Sequence, residues 1–378
     1  MKIIHVRFPP GAAGPQVLKR IYDSGTSLSI IPLRQGTRWD ASLLVQDELS
    51  HRLLNELLSK SPGTEVSSFD MPVAPEQTFD RPIIILGAPR SGTTLLFETL
   101  SQCANVWTIG GESYGVIDRH ARQFYGVLPR GKVEARGDRL DASDADPDAS
   151  RRVIGGFLSV VRDREGRFYI QREPAKRPGC IRLLEKMPIN SLRIPFLRRI
   201  FPDCRFIFLY RDPRANIGSL IDGWQYNERQ VDSQHARGVL WTYLFPPGWR
   251  GLIGKPIADI AAAQWRAANH FILSDLMNVP REHWIFVEYK KLVADSENQI
   301  RRLCEFTVLE IDGVLDSMLR RPLPFSRNTL TPPHPEKWRR HEKELDRVMP
   351  SLEAITAKIE TMKQLETSLP RGQVAPDP

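Results

Sequence analysis

The run Ile83–Leu86 is entirely aliphatic, and it ends at Gly87-Ala-Pro-Arg-Ser-Gly92, just before an apolar helical pattern begins. A short apolar run without polar alternation reads as a strand covered on both faces. A glycine-framed turn between such a strand and a helix gathers main-chain N–H groups and the positive helix end around one point, which makes an anion site. This combination calls for an open, mostly parallel α/β sheet with its ligand at the carboxyl edge. The glycine spacing is that of a phosphate-cradling loop, yet Thr93 stands where a lysine would reach the β/γ-phosphates. The N–H groups of Arg90 to Thr94 and the hydroxyls of Ser91, Thr93 and Thr94 would hold the anion instead. Arg90 adds a forked contact that lysine cannot make.

Further apolar strands are expected at residues 204–210 ("CRFIFLY") and 284–287 ("WIFV"), with weaker ones at 106–109 and 181–184. Helical patterns lie between them at 94–101, 192–200 and 257–276. Residues 1–80 form a unit of their own in this reading, a small α+β module of order β-α-β-β-α-β, a ferredoxin-like split βαβ. Residues 74–82 are its linker, 81–365 the main domain and 366–378 a frayed tail. The acidic stretch 141–150 and the segment 163–179 read as surface insertions.

Composition narrows the function class. At 378 residues, 41% hydrophobic and 26% charged, the chain is globular and has no apolar run long enough to span a membrane. No signal core is visible at residues 1–11, and the four cysteines are scattered without a C-x-x-C pair, so a reduced, cytoplasmic setting is expected and neither a zinc site nor another metal cluster. The net charge of +8 favours an anionic partner. No basic arm with interleaved aromatics points to nucleic acid, and a nucleotide in one cleft satisfies the same charge.

A second anion site follows from "RFIFLYRDPRANIGSL", residues 205–220: a strand, Arg211 at its end, then a helical stretch carrying Ser219. Arg211 and Ser219 are within reach of one anion at the same sheet edge. Two such sites imply a ligand with two separated phosphate-type groups.

Residues 83 to about 340 resemble sulfotransferases that use 3'-phosphoadenosine 5'-phosphosulfate (PAPS), in particular the bacterial and protein-tyrosine branch with its P-R-S-G-T-T loop. The motifs that carry the resemblance are "GAPRSGTTLL", "LLEKMPINSLRIPFLRRIFPDCRFIFLYRDPRANIGSL", "FVEYKKLVAD" and "NTLTPPHPEKW". The resemblance implies that the loop wraps the 5'-phosphosulfate and that Arg211 and Ser219 take the 3'-phosphate, with 3',5'-adenosine bisphosphate (PAP) as product. It implies Glu112 as the base for the acceptor, Lys186 as the cation facing the bridging oxygen, and Arg90 and Thr93 near the sulfuryl group. Tyr289 would line the nucleotide pocket, and Thr331 and Lys337 would lie in a late loop closing over the donor. His235, His270 and His334 compete for the role of base, because another branch uses the histidine of a K-T-H motif; here that region reads Lys186-Met187-Pro188. Residues 227–257, with Trp241, Tyr243, Phe245 and Trp249, are expected to form an acceptor-binding lid. The acceptor class stays open: a small molecule, carbohydrate, lipid, peptide or carrier-bound group with a hydroxyl or amine. Two alternatives stand beside this reading, a P-loop kinase and a non-catalytic nucleotide-binding module.

Overall fold

A computed structural model of the chain describes residues 2–9, 16–17, 21, 29–35, 38–45, 48–59, 63–72, 74–113, 116–117, 136–230 and 241–368. His235 and the last ten residues lie outside them. The first sheet comprises β1 (Lys2–Arg7), β2 (Ser29–Gln35), β3 (Arg38–Val45) and, after helix α1 (Glu48–Ser59), β4 (Glu65–Asp70). Its order is β2-β3-β1-β4, with every pairing antiparallel. Period-two alternation sends Ile4, Val6 and Phe8 into a small core with Leu43, Val45, Leu54 and Leu58.

The second sheet follows in chain order as β5 (Ile83–Leu86), α2 (Thr93–Leu100), β6 (Val106–Trp107), α3 (Pro147–Val160), β7 (Arg182–Lys186), α4 (Ile194–Ile200), β8 (Arg205–Tyr210), α5 (Pro213–Gln230), α6 (Ile257–Leu276) and β9 (Trp284–Glu288). Helices α7 (Tyr289–Ala294), α8 (Ser296–Thr307), α9 (Gly313–Leu319), α10 (Glu342–Val348) and α11 (Glu353–Ser368) complete it. The sheet order is β6-β7-β5-β8-β9, all parallel. Both faces are apolar, as the continuous strands require. Ile84, Leu86, Phe206 and Phe208 face α3, α4 and α6. Ile83, Ile85, Ile207 and Leu209 face α2, α8 and α9. The fold is therefore α/β, with the central strand β5 delivering its loop to the carboxyl edge. Among the described residues no helix is long and apolar enough to cross a membrane.

Three readings of the sequence change. The linker 74–82 is built in: Phe79 is buried, packs edge-on against Phe157 and Phe201, and bridges Ile181 in parallel. The acidic stretch 141–150 is a pair of helix starts rather than an insertion. Asp141 caps a 3-10 turn, and Asp146 accepts from the Ala149 N–H to start α3, whose body is core. Segment 163–179 is anchored too, by buried Tyr169 and Ile170.

The two sheets meet at α3. Ile3 and Leu44 join the main core, and Leu44 lies over Gly155. His5 donates from Nε2 to the Ser159 carbonyl at 2.8 Å and accepts at Nδ1 from Gln171 at 2.9 Å.

Candidate active site

The loop Gly87–Gly92 turns tightly because its residues permit it. Ser91 N–H donates to the Ala88 carbonyl, Arg90 takes a left-handed φ of 66°, and Gly92 sits at φ 101° as the N-cap of α2. A Cβ on Gly92 would also lie 2.4 Å from the Tyr289 ring. Gly92→Ala is therefore expected to cost roughly 1–3 kcal/mol of stability, from backbone strain and displacement of that ring. Urea unfolding checks this, and a variant as stable as wild type would mean that the ring moves aside freely.

The loop opens onto a cavity of about 1240 Å³ at the carboxyl edge of the second sheet. Arg90, Gly92, Thr93, Thr94, Glu112, Arg211, Ser219, Tyr289, Thr331 and Lys337 all line it. Ser91 does not: its side chain is buried beneath the loop, against Gly87. Lys186 is fully buried at the end of β7 and reaches the wall through its tip, where Nζ donates to Thr94 Oγ1 at 3.2 Å and to Glu112 Oε1 at 2.6 Å.

Cations gather on the same wall. Arg211 lies over the Tyr289 ring at 4.9 Å and donates to the Arg90 carbonyl at 2.8 Å. Arg90 itself donates to the Asn328 carbonyl at 2.9 Å. Among the described residues neither arginine forms an ion pair. Burial pulls the Arg211 guanidinium below its ordinary range, and Arg90 adds to the effect by repulsion. Lys337 is shifted down as well, first by burial and then by its cationic neighbours, against the pull of Asp222 at 3.7 Å. It also donates to Thr331. Such a wall favours an anionic ligand.

Some participants had no local signal in the sequence. Asn328 bridges Thr94 and Arg90, while Arg327 pairs with Glu98 at 3.0 Å and donates to the Gly110 carbonyl at 2.9 Å, so the late loop is strapped across α2. Glu185, next to Lys186 but on the opposite face of β7, accepts from Ser113 and from Asn190. Burial pushes its carboxyl up to about 7. Consecutive residues 112 and 113 thus clasp consecutive residues 186 and 185 on the two faces of one strand end.

The rival histidines separate from the site in different ways. His270 lies outside the cavity wall, edge-on to Phe271. His334 is in the wall, where its Nδ1 accepts from the Glu336 N–H. Of the four aromatics in the expected lid, Trp241, Phe245 and Trp249 pack on one another and Trp224, and Tyr243 alone lines the cavity.

Residues 82–313 match the model of the Sulfotransferase family. The chain belongs to the sulfotransferase family. Its relatives include protein-tyrosine sulfotransferase A of Caenorhabditis elegans, 26% identical over 226 residues, which are 59% of this chain and 49% of that protein. Protein-tyrosine sulfotransferase 2 of Gallus gallus is 25% identical over 224 residues, 59% of this chain and 50% of that protein. The chain spans about half the length of these curated relatives. Among solved structures, a sulfotransferase from Alicyclobacillus acidocaldarius is 16% identical with a TM-score of 0.41, covering 74% of this chain and 96% of that one.

Proposed function

We propose that this chain transfers the sulfuryl group of PAPS to an acceptor hydroxyl or amine and releases PAP. The observation that carries the reading is the gathering of cations and a carboxylate on the wall of a single cavity. Arg90 and Arg211, which form no ion pair among the described residues, line it together with Lys337 and with Glu112, the carboxylate that holds the buried Lys186. Arg211 and Ser219 would take the 3'-phosphate beside Tyr289. The Gly87–Gly92 loop would act as a P-loop for the 5'-phosphosulfate, and Thr331 and Lys337 would close over it.

In the reaction, the S–O bond to the phosphate oxygen breaks as a bond forms from the acceptor atom to sulfur, and the acceptor proton passes to Glu112. Lys186 would turn from Glu112 to the bridging oxygen, where negative charge develops. That exchange frees the carboxylate at the moment it is needed. The wide spacing of the four cysteines in the sequence, with no C-x-x-C pair, supports a reducing, cytoplasmic setting. The division into residues 1–80 and 81–365 is supported by the separate small core of the first sheet.

A thermal shift tests the reading. PAP at ~100 Kd should add ~2.7 kcal/mol, enough to raise Tm by a few degrees, while ADP and AMP should do less. A shift with ATP–Mg²⁺ and none with PAP would overturn the proposal in favour of a kinase.

A further inference from the structure

Glu185 is a carboxyl sealed inside the protein, and its partners are sealed in with it. Ser113, Glu185, Asn190 and Ser191 are each at most 1% exposed. Ser113 Oγ donates to Glu185 Oε1 and also lies 3.3 Å from Met187 Sδ. Asn190 Nδ2 donates to the same Oε1 at 3.1 Å. Buried polar side chains stabilise a core less than aliphatic ones of the same size; what a hydrogen-bonded network adds is a fixed geometry.

The geometry fixed here is that of the site. Ser113 follows Glu112, and Glu185 precedes Lys186. Asn190 precedes Ser191 in the 3-10 turn Pro188–Leu192. The Ser191 hydroxyl donates to the Gly87 carbonyl at 3.0 Å and accepts from the Gly87 N–H at 3.1 Å, where the anion loop begins. Three segments far apart in the chain thereby meet at one carboxyl oxygen.

We infer that Glu185 is a positioning residue for sulfuryl transfer: through Ser113 it holds Glu112 opposite Lys186, and through Asn190 it ties both to the Gly87–Gly92 loop. The inference rests on the sulfotransferase reading, in which these parts must present acceptor, leaving oxygen and phosphosulfate to one another. Oε1 acts here as an acceptor, not as a negative charge. Oε2 is buried with no partner among the described residues, and so is Oδ1 of Asn190. A bare carboxylate oxygen in the interior favours the neutral acid, whose carbonyl oxygen still accepts from Ser113 and Asn190. Burial shifts the group toward that form.

The test uses the full chain and three substitutions. Ser113→Ala removes the hydroxyl, Glu185→Met removes both oxygens at similar volume, and Glu185→Gln keeps Oε1 without a charge. Sulfate release is followed from 35S-labelled PAPS with enzyme in excess and water as the acceptor. Ser113→Ala and Glu185→Met should slow release about ten-fold or more, and Ser113→Ala should leave the Kd for PAP unchanged. Glu185→Gln should lose much less than Glu185→Met. Amide hydrogen exchange needs no acceptor: Glu112 and Ser113 should exchange about ten-fold faster in Ser113→Ala and Glu185→Met, but not in Glu185→Gln. Release within about two-fold of wild type in Ser113→Ala and Glu185→Met would overturn the role, and so would Glu185→Gln as slow as Glu185→Met. Wild-type protein that neither binds PAP nor consumes PAPS would instead overturn the sulfotransferase reading, while the exchange rates would still report the network.

Discussion

Lys186→Met should lower kcat by ~10² or more while leaving the affinity for PAP nearly intact. The ammonium is buried, and its two contacts, Thr94 Oγ1 and Glu112 Oε1, lie at the reacting end of the cavity. Its stem passes the Phe97 ring, with Nζ 5.9 Å from the centroid, and methionine keeps that apolar packing. The variant therefore removes the charge with little change of volume. PAP would be held mainly by Arg211, Ser219 and Lys337, none of which touches Lys186, so binding and turnover should separate. Calorimetry with PAP beside single-turnover transfer from labelled PAPS measures both. A kcat within a few-fold of wild type would remove Lys186 from the leaving-group role.

Glu112→Gln is expected to cost ~10²–10⁴ in kcat by removing the proton acceptor. The substitution keeps shape and one hydrogen-bonding oxygen, so Lys186 can remain in place. Glu112 is half-buried, open to the cavity on one side and held by Lys186 at 2.6 Å on the other. If the base were His334 instead, Glu112→Gln would keep near-normal turnover and His334→Gln would lose it. The His334 ring nitrogen that accepts from the Glu336 N–H is already engaged, which argues for the carboxylate.

The parallel strands were legible because burial on both faces leaves uninterrupted apolar runs, as in β5 and β8. The first sheet was legible from short strand-like runs separated by turn residues such as "QGTRWD". Caps were harder to see. Asp141 and Asp146 look like solvated charge until a helix is known to start beside them. Phe79 reads as one apolar residue in a polar linker, and only the fold supplies Phe157 and Phe201 around it. At the site, Arg90, Thr94 and Arg211 could be placed from the strand–turn–helix pattern, because Arg211 follows a strand end and the other two lie in the turn and the first helical turn after one. Ser91 could not be told from its neighbours: the direction of a hydroxyl in a tight turn is set by φ and ψ, not by residue type. Tyr243 was one of four aromatics within residues 241–249, and its left-handed φ and close approach to Gly223 leave no periodic trace in the sequence.

The clasp between residues 112–113 and 185–186 has a consequence for chain length. Neighbours on a strand point to opposite faces, so shifting β7 by a single residue would exchange the surroundings of Glu185 and Lys186. The ammonium would then face Ser113 and Asn190, and the carboxylate would face Thr94 and the incoming anion. Alignment between the two segments is therefore all-or-none: no half-step keeps both pairs. The Gly110–Gly111 stretch can take up slack on its own side of the clasp, but β7, paired with β5 from Leu184 to Lys186, has no such give. Insertions are thus tolerable before Glu112 and ruinous within β7, and the polarity of the reacting end is set by strand register as much as by the residues that occupy it.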